Sequence, residues 1–210
     1  MIRAVLWDFG GVILSSPFEA FNDYEAENGL PTDFIRGVNS TDPHTNAWAR
    51  FERSEIDPVA FDAAFAAESA RLGHEVRGAA VLALLHGEIR PEMVRALARV
   101  KEAGLLTACL TNNVVSGGGD PTGRGDLIAE VMGLFDVVVE SSKVGVRKPE
   151  VRFYELACEL LAVTPEECVF LDDLGVNLKP AAEMGMKTIK VASAAQALGE
   201  LQHVLGIDLR

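Results

Sequence analysis

Apolar positions along this chain fall into short unbroken runs and longer runs with helical spacing, and their order predicts a parallel sheet interrupted once by a block of helices. The first unbroken run, from Ala4 to Leu14, reads as a strand buried on both faces and a turn that carries Asp8, Gly10 and Gly11. From Pro17 the spacing becomes helical and stays so for about seventy residues. Phe18, Phe21 and Tyr24 recur at three-residue intervals, and Asp57-Pro58 reads as an N-cap with proline at the first helical position, ahead of Phe61, Ala64, Phe65 and Leu72. A further apolar stretch, Val76 to Leu85, ends at His86-Gly87, and Arg90-Pro91 opens a helix that closes at Gly104. Four more strands are then predicted, at Leu105 to Leu110, Phe135 to Val139, Cys168 to Leu171 and Met186 to Val191, with helical segments between them. Alternation of this kind implies parallel pairing. The predicted fold is therefore α/β, a doubly wound parallel sheet over residues 1–15 and 89–210, with a helical domain over residues 16–88 inserted after the first strand.

Composition narrows the class. With 210 residues, 49% hydrophobic and 24% charged, the chain can bury one full core and carry a smaller insertion. No apolar run approaches the roughly 18 residues of a membrane span, and the amino terminus enters a strand without a basic region and cleavage site, which predicts a cytoplasmic protein. The net charge of -12 disfavours nucleic acid and anionic membrane as partners and makes a cation the natural companion of an anionic substrate. Cys109, Cys158 and Cys168 are odd in number and each sits in an apolar stretch, so they are predicted core residues, and the four histidines form no ligand cluster.

Chemistry-bearing residues gather at the predicted strand ends, where open α/β sheets bind their ligands. Asp8 ends the first strand; its competing reading is a turn aspartate that caps the following segment. The second strand ends in Thr111-Asn112-Asn113, a hydroxyl and amides that can bind phosphate or carboxylate oxygens without adding charge. After the third come Ser141-Ser142-Lys143 and Arg147-Lys148-Pro149, with Pro149 predicted to open a helix whose N-terminus lies beside Lys148, both favouring an anion. The fourth ends in Asp172-Asp173, adjacent carboxylates whose repulsion calls for a cation, most simply magnesium. Asn177 reads as a helix N-cap ahead of Leu178.

Three segments carry a family resemblance over nearly the whole chain. These are Thr111-Asn112-Asn113, the run from Ser142 to Glu150, and the run from Val169 to Ala181, with residues 48–56 resembling a stretch of a helical cap. On these motifs the chain resembles the haloacid dehalogenase superfamily of hydrolases, in the branch that contains the amino-terminal phosphatase domain of soluble epoxide hydrolases. The resemblance implies a Rossmann-like core under a cap, and a two-step phosphoryl transfer on a small phosphorylated substrate. It implies Asp8 as nucleophile, magnesium held by Asp8, the Gly10 carbonyl and Asp173 with Asp172 beside it, and Thr111, Asn112 and Lys148 on the transferring oxygens. Asn177 would then orient Lys148 or the metal's waters.

One position departs from the family pattern. Its phosphatases usually carry an aspartate two residues after the nucleophile as general acid and base, and here that position is Gly10. Such assistance is worth about 10²–10⁴-fold. The expectation is a slow phosphatase, a preference for good leaving groups, or an acid borrowed from the inserted helices, for which His44, Glu52 and His86 are the candidates. A non-catalytic relative that binds a phosphorylated ligand or a protein partner is the alternative reading, ahead of a 2-haloacid dehalogenase. A signalling receiver domain is excluded by the order of the motifs, because its acid pair follows the first strand. Phe18, Phe21, Trp48 and Phe51 are candidates to face the site, as is Arg124 in the loop from Val115 to Asp126.

Overall fold

The computed structural model describes residues 1–85, 87–113 and 124–209. Five parallel strands form one sheet in the order β3-β2-β1-β4-β5: β1 (Ala4–Trp7), β2 (Leu106–Thr111), β3 (Val137–Glu140), β4 (Cys168–Asp172) and β5 (Lys187–Lys190). The central strand is the first in sequence, and Trp7 pairs in register with Cys109 on one side and Leu171 on the other. All four residues of β1 are buried, because both faces of the sheet are covered. Val5 and Trp7 pack towards α6 (Pro91–Glu102) and α11 (Ala194–Leu205), while Ala4 and Leu6 pack towards α9 (Val151–Leu161) and α10 (Gly175–Glu183). Met93, Ala96, Leu97 and Val100 give α6 its single apolar stripe at helical spacing. Two short helices, α7 (Arg124–Met132) and α8 (Ser141–Val144), flank β3.

Among the described residues, five α-helices between the turn after β1 and α6 share an apolar core of their own: α1 (Phe18–Glu27), α2 (Phe34–Ser40), α3 (Ala47–Glu52), α4 (Pro58–Arg71) and α5 (Gly78–Ala83). Asp57 caps α4 by accepting from the Ala60 N–H at 2.7 Å, with Pro58 in the first turn, as the sequence predicts. Phe21 and Phe51 are buried in this core, Phe18 and Trp48 pack on it, and Phe51 stacks on Phe61 at 4.6 Å between ring centroids. The two segments that join this block to the sheet run side by side. Ser15 N–H donates to the Glu88 carbonyl at 2.8 Å, Leu14 and Ile89 form an antiparallel bridge, and a Cβ on Gly87 would lie 2.7 Å from the Ser15 carbonyl oxygen. Glycine is required there by that close approach.

Boundaries differ from expectation where apolarity is a poor guide. The run from Ala4 to Leu14 is a four-residue strand followed by a tight wound turn, Phe9–Ile13, in which Gly11 has φ +73°. Thr111 belongs to β2 itself. Pro149 lies two residues before α9, after a cis Lys148-Pro149 peptide, and Asn177 sits inside α10 rather than at its cap. All three cysteines are free and buried. Among the described residues no helix is long and apolar enough to cross a membrane.

Candidate active site

Strand register brings the predicted residues together. Asp8 follows Trp7 at the end of β1 and its N–H donates to the Leu171 carbonyl at 2.8 Å, which sets Asp8 beside Asp172 at the end of β4. The Lys148 ammonium lies between them, 2.8 Å from Asp8 Oδ1 and 2.8 Å from Asp172 Oδ2, with its side chain 1% exposed. A lysine buried this deeply survives only when paired. Burial works against its charge, but Asp172 and Asp8 outweigh that and hold its pKa above the ordinary lysine value.

The carboxylates are crowded. Asp8, Asp172 and Asp173 each offer one oxygen, and these oxygens lie within 4.8 Å of one another. Burial raises the Asp8 carboxyl well above its ordinary value and Asp172 adds to the rise, against the pull of Lys148. Burial, again with Asp172, pushes Asp173 up to about 6. Three carboxylates against one ammonium leave an anionic hole of the kind a divalent cation fills.

Their free valences are unequal. Asp172 is saturated: Oδ2 accepts from Lys148, Oδ1 accepts from the Leu174 N–H at 2.8 Å, and both oxygens lie 3.1 Å from Asn177 Nδ2. Asp8 Oδ1 accepts from the Phe9 N–H at 2.6 Å as well as from Lys148, and among the described residues Oδ2 takes no hydrogen bond. Asp173 is half-buried and rests against Gly11, where a Cβ would overlap its carboxylate. Asp8 and Asp173 are thus the carboxylates with oxygens to spare for an ion, and Asp172 is the counter-charge that fixes Lys148.

That contact makes Gly11 a sensitive position. Gly11→Ala is expected to lower the melting temperature by about 2–8 °C, from about 1–2 kcal/mol of left-handed backbone strain, and, if the carboxylates hold a divalent cation, to raise the concentration of that ion needed for half-maximal thermal stabilisation by displacing Asp173. A melt in a magnesium series measures both; an unchanged ion requirement contradicts the placement of Asp173.

The predicted amides have structural duties. Asn112 clamps the Lys148 peptide, accepting from its N–H at 2.8 Å and donating to its carbonyl at 3.0 Å, so both sides of the lysine's backbone are held by the residue after β2. Asn113 ties β2 to the following elements through Glu140 and Ser142, each at 2.8 Å. Thr111 is buried at the end of β2, whereas Lys143 is exposed and pairs with Glu140. Among the candidate acids, His44 is exposed, His86 lies outside the described residues, and Glu52 is 5% exposed and reaches Asn112 and Arg147. Burial raises the Glu52 carboxyl, with Arg147 pulling it back. The side chain of Arg124 and most of its loop also lie outside the described residues.

Two contributors, Tyr154 and Arg90, were not singled out in the sequence, and Asn177, expected to orient Lys148 or the metal's waters, contacts Asp172. Asn177 orients Asp172 from within α10, and Tyr154, on the apolar stripe of α9, donates its hydroxyl to the Asn177 carbonyl at 2.6 Å. Arg90 donates to the Gly11 carbonyl at 2.9 Å and so braces the turn that presents Asp8. Tyr154 gave only the signal of a polar group on an apolar stripe, and Arg90 that of a residue before a helix-opening proline.

Comparison with known proteins agrees with this geometry. Residues 2–185 match the haloacid dehalogenase-like hydrolase family. The chain is 37% identical to mouse acyl-CoA dehydrogenase family member 10 over 99% of its own length and 19% of that protein, and 32% identical to mouse bifunctional epoxide hydrolase 2 over 98% of its length and 39% of that protein. It therefore spans less than half of either relative. Its fold resembles that of a haloacid dehalogenase family enzyme from Bacteroides thetaiotaomicron, solved in complex with magnesium and inorganic phosphate, with a TM-score of 0.63 and 19% identity over 96% of this chain and 99% of that one. The parallel sheet, the strand-end residues and the family match lead to one conclusion: this chain belongs to the haloacid dehalogenase-like hydrolases.

Proposed function

We propose that this protein is a magnesium-dependent phosphatase acting on a small phosphorylated metabolite, with Asp8 as nucleophile and residues 16–88 as a cap over the site. The observation that carries this reading is the Lys148 ammonium held 2.8 Å from both Asp8 and Asp172, beside a third carboxylate. An aspartate beside a fixed cation can meet a phosphate that would otherwise repel it, and phosphoryl transfer depends mainly on such positioning and neutralisation.

The residues present fit a magnesium ion. Asp8 Oδ2 and Asp173 supply oxygen donors, the Gly10 carbonyl would join them, and Asp173 occupies the space that a side chain on residue 11 would fill. When bound, magnesium would supply charge neutralisation at the phosphoryl oxygens. Lys148 would hold one of those oxygens, with Thr111 and the backbone at Asn112 on the others. In the first step an Asp8 oxygen forms a bond to phosphorus and the bond to the leaving oxygen breaks; with no side chain at Gly10, that oxygen departs unprotonated and takes a proton from water afterwards. In the second step water attacks the aspartyl-phosphate, releases inorganic phosphate, restores the Asp8 carboxylate and gives a proton to solvent.

Gly10 favours one second reading, a weak or inactive relative that binds a phosphorylated ligand or a protein partner. Turnover decides between them. Purified protein with an activated aryl phosphate is expected to release phosphate with magnesium and to stop when the ion is chelated, and equal rates with and without the ion contradict the proposal. Asp173→Ala is expected to raise the magnesium concentration for half-maximal activity by about tenfold or more, since a direct carboxylate ligand is lost. An unchanged requirement places the ion elsewhere.

A further inference from the structure

One buried carboxylate takes no part in the chemistry proposed above. Glu52 ends α3, in the helical block, yet both its oxygens are spoken for. Oε1 accepts from Trp48 Nε1 at 2.9 Å, one turn back in the same helix, and Oε2 accepts from Arg147 Nε and, at 3.3 Å, from Asn112 Nδ2. Three converging donors, one of them a guanidinium, engage both oxygens and fix the side chain in place, which commits Glu52 to its neighbours rather than to a leaving group.

Its partners explain its place. Asn112 is the clamp on the Lys148 peptide, and Arg147 is the residue immediately before Lys148. The contact is reinforced around it: Arg147 Nη1 donates to the Pro43 carbonyl at 3.0 Å, Ser54 Oγ donates to the Ser142 carbonyl at 3.0 Å, and Arg53 lies 3.4 Å from Glu150. The side chains of Glu52 and Arg147 are only 7% and 12% exposed. A buried pair of this kind is costly to break from either side, because the remaining charge is left without a partner.

We propose that Glu52 is a positioning residue, through which the helical block fixes Asn112 and Arg147 and so holds Lys148 in line with Asp8. The inference rests on the phosphatase reading for its effect on rate, but not for its effect on the loop. With the block seated, the lysine-bearing segment is pinned from β2 and from α3 together. Without the Glu52 carboxylate it loses the buried anchor and keeps the Asn112 clamp and the contacts to Pro43, Arg53 and Ser54, and a displacement of a fraction of an ångström at Lys148 lowers the rate without weakening substrate binding.

A double-mutant cycle with two readouts tests this. Glu52→Gln and Arg147→Met are each expected to lower kcat on an aryl phosphate at saturating magnesium by about tenfold, with KM changed less than about threefold. The double variant is expected to be no slower than the slower single one, because both remove the same contact. Amide hydrogen exchange of residues 142–150, read on the same proteins, is expected to speed up about tenfold in each variant, while β4 is unchanged. Independent, multiplicative losses in the double variant, a loss confined to KM, or unchanged exchange in 142–150 each overturn the proposal. If the wild-type protein turns over no phosphate ester, the phosphatase reading fails and the exchange measurement still decides the role of Glu52. If Glu52→Gln does not fold, Arg147→Met removes the same contact from the sheet side, and unchanged exchange in that variant overturns the proposal on its own.

Discussion

Asp8→Asn is expected to lower turnover by about 10³-fold or more while the protein stays folded, because an amide nearly matches a carboxylate in shape but does not attack phosphorus. The structure indicates why folding should survive. The amide oxygen of the variant is placed to accept from the Phe9 N–H as the carboxylate does, and Lys148 keeps Asp172 at 2.8 Å. Replacing Asp8 also removes a carboxylate that burial, and after it the charges of Asp172 and Asp173, disfavour in its ionised form. The variant should therefore melt no lower than wild type in the absence of magnesium, and gain less on adding it, since a donor to the ion is lost. A purified variant that keeps a tenth of the activity contradicts a covalent step at Asp8. A variant that melts well below wild type without magnesium contradicts the electrostatic account of the cluster.

The second large effect is a gain. Gly10 has φ -68° and ψ 135°, a conformation open to any residue, and a Cβ there meets nothing within 4 Å. The glycine is not required by the backbone, in contrast to its neighbour Gly11. Gly10→Asp is therefore expected to fold normally and to supply the absent acid, raising rates on poor leaving groups by up to about 10²-fold. The measurement is the dependence of log kcat/KM on leaving-group pKa across a series of aryl phosphates. It should be steep in the wild-type protein, whose leaving oxygen departs unprotonated, and shallower in the variant. A wild-type rate already insensitive to leaving-group pKa, with chemistry shown to be rate-limiting, would mean that another group donates the proton.

Much of this was legible in the sequence, for a physical reason. Parallel strands covered on both faces must be unbroken apolar runs, so the runs mark the strands and the polar residues that end them mark the ligand edge. Asp8 and Asp172 were expected on this ground, and Lys148 from the segment that follows β3, and the structure brings these three together. Backbone conformation was not legible. The run from Ala4 to Leu14 reads as uniformly apolar, yet it contains a strand and a wound turn, the turn built on a left-handed glycine whose φ leaves no trace in hydrophobicity. Side-chain commitments were equally hidden. Nothing local distinguishes Glu52 from His44 as a residue that reaches the site, because the difference is made by Arg147, 95 positions away. Asn112 was expected on phosphoryl oxygens, and its side-chain amide is engaged with the Lys148 peptide.

The central position of β1 also bears on how the molecule is made. The first strand of the sheet to leave the ribosome is the one whose two edges are covered by segments arriving much later, Leu106–Thr111 on one side and Cys168–Asp172 on the other. Until β4 emerges, β1 has an open hydrogen-bonding edge of four fully apolar residues, and Asp8 lacks the neighbour that fixes its lysine. The helical block, by contrast, is made of contacts close in sequence and is synthesised in one piece. Assembly on the nascent chain should accordingly run from the insertion towards the sheet, with the cluster of Asp8, Lys148 and Asp172 unable to close until β4 is made. A chain truncated before residue 168 would carry Asp8 and Lys148 but neither Asp172 nor a protected strand.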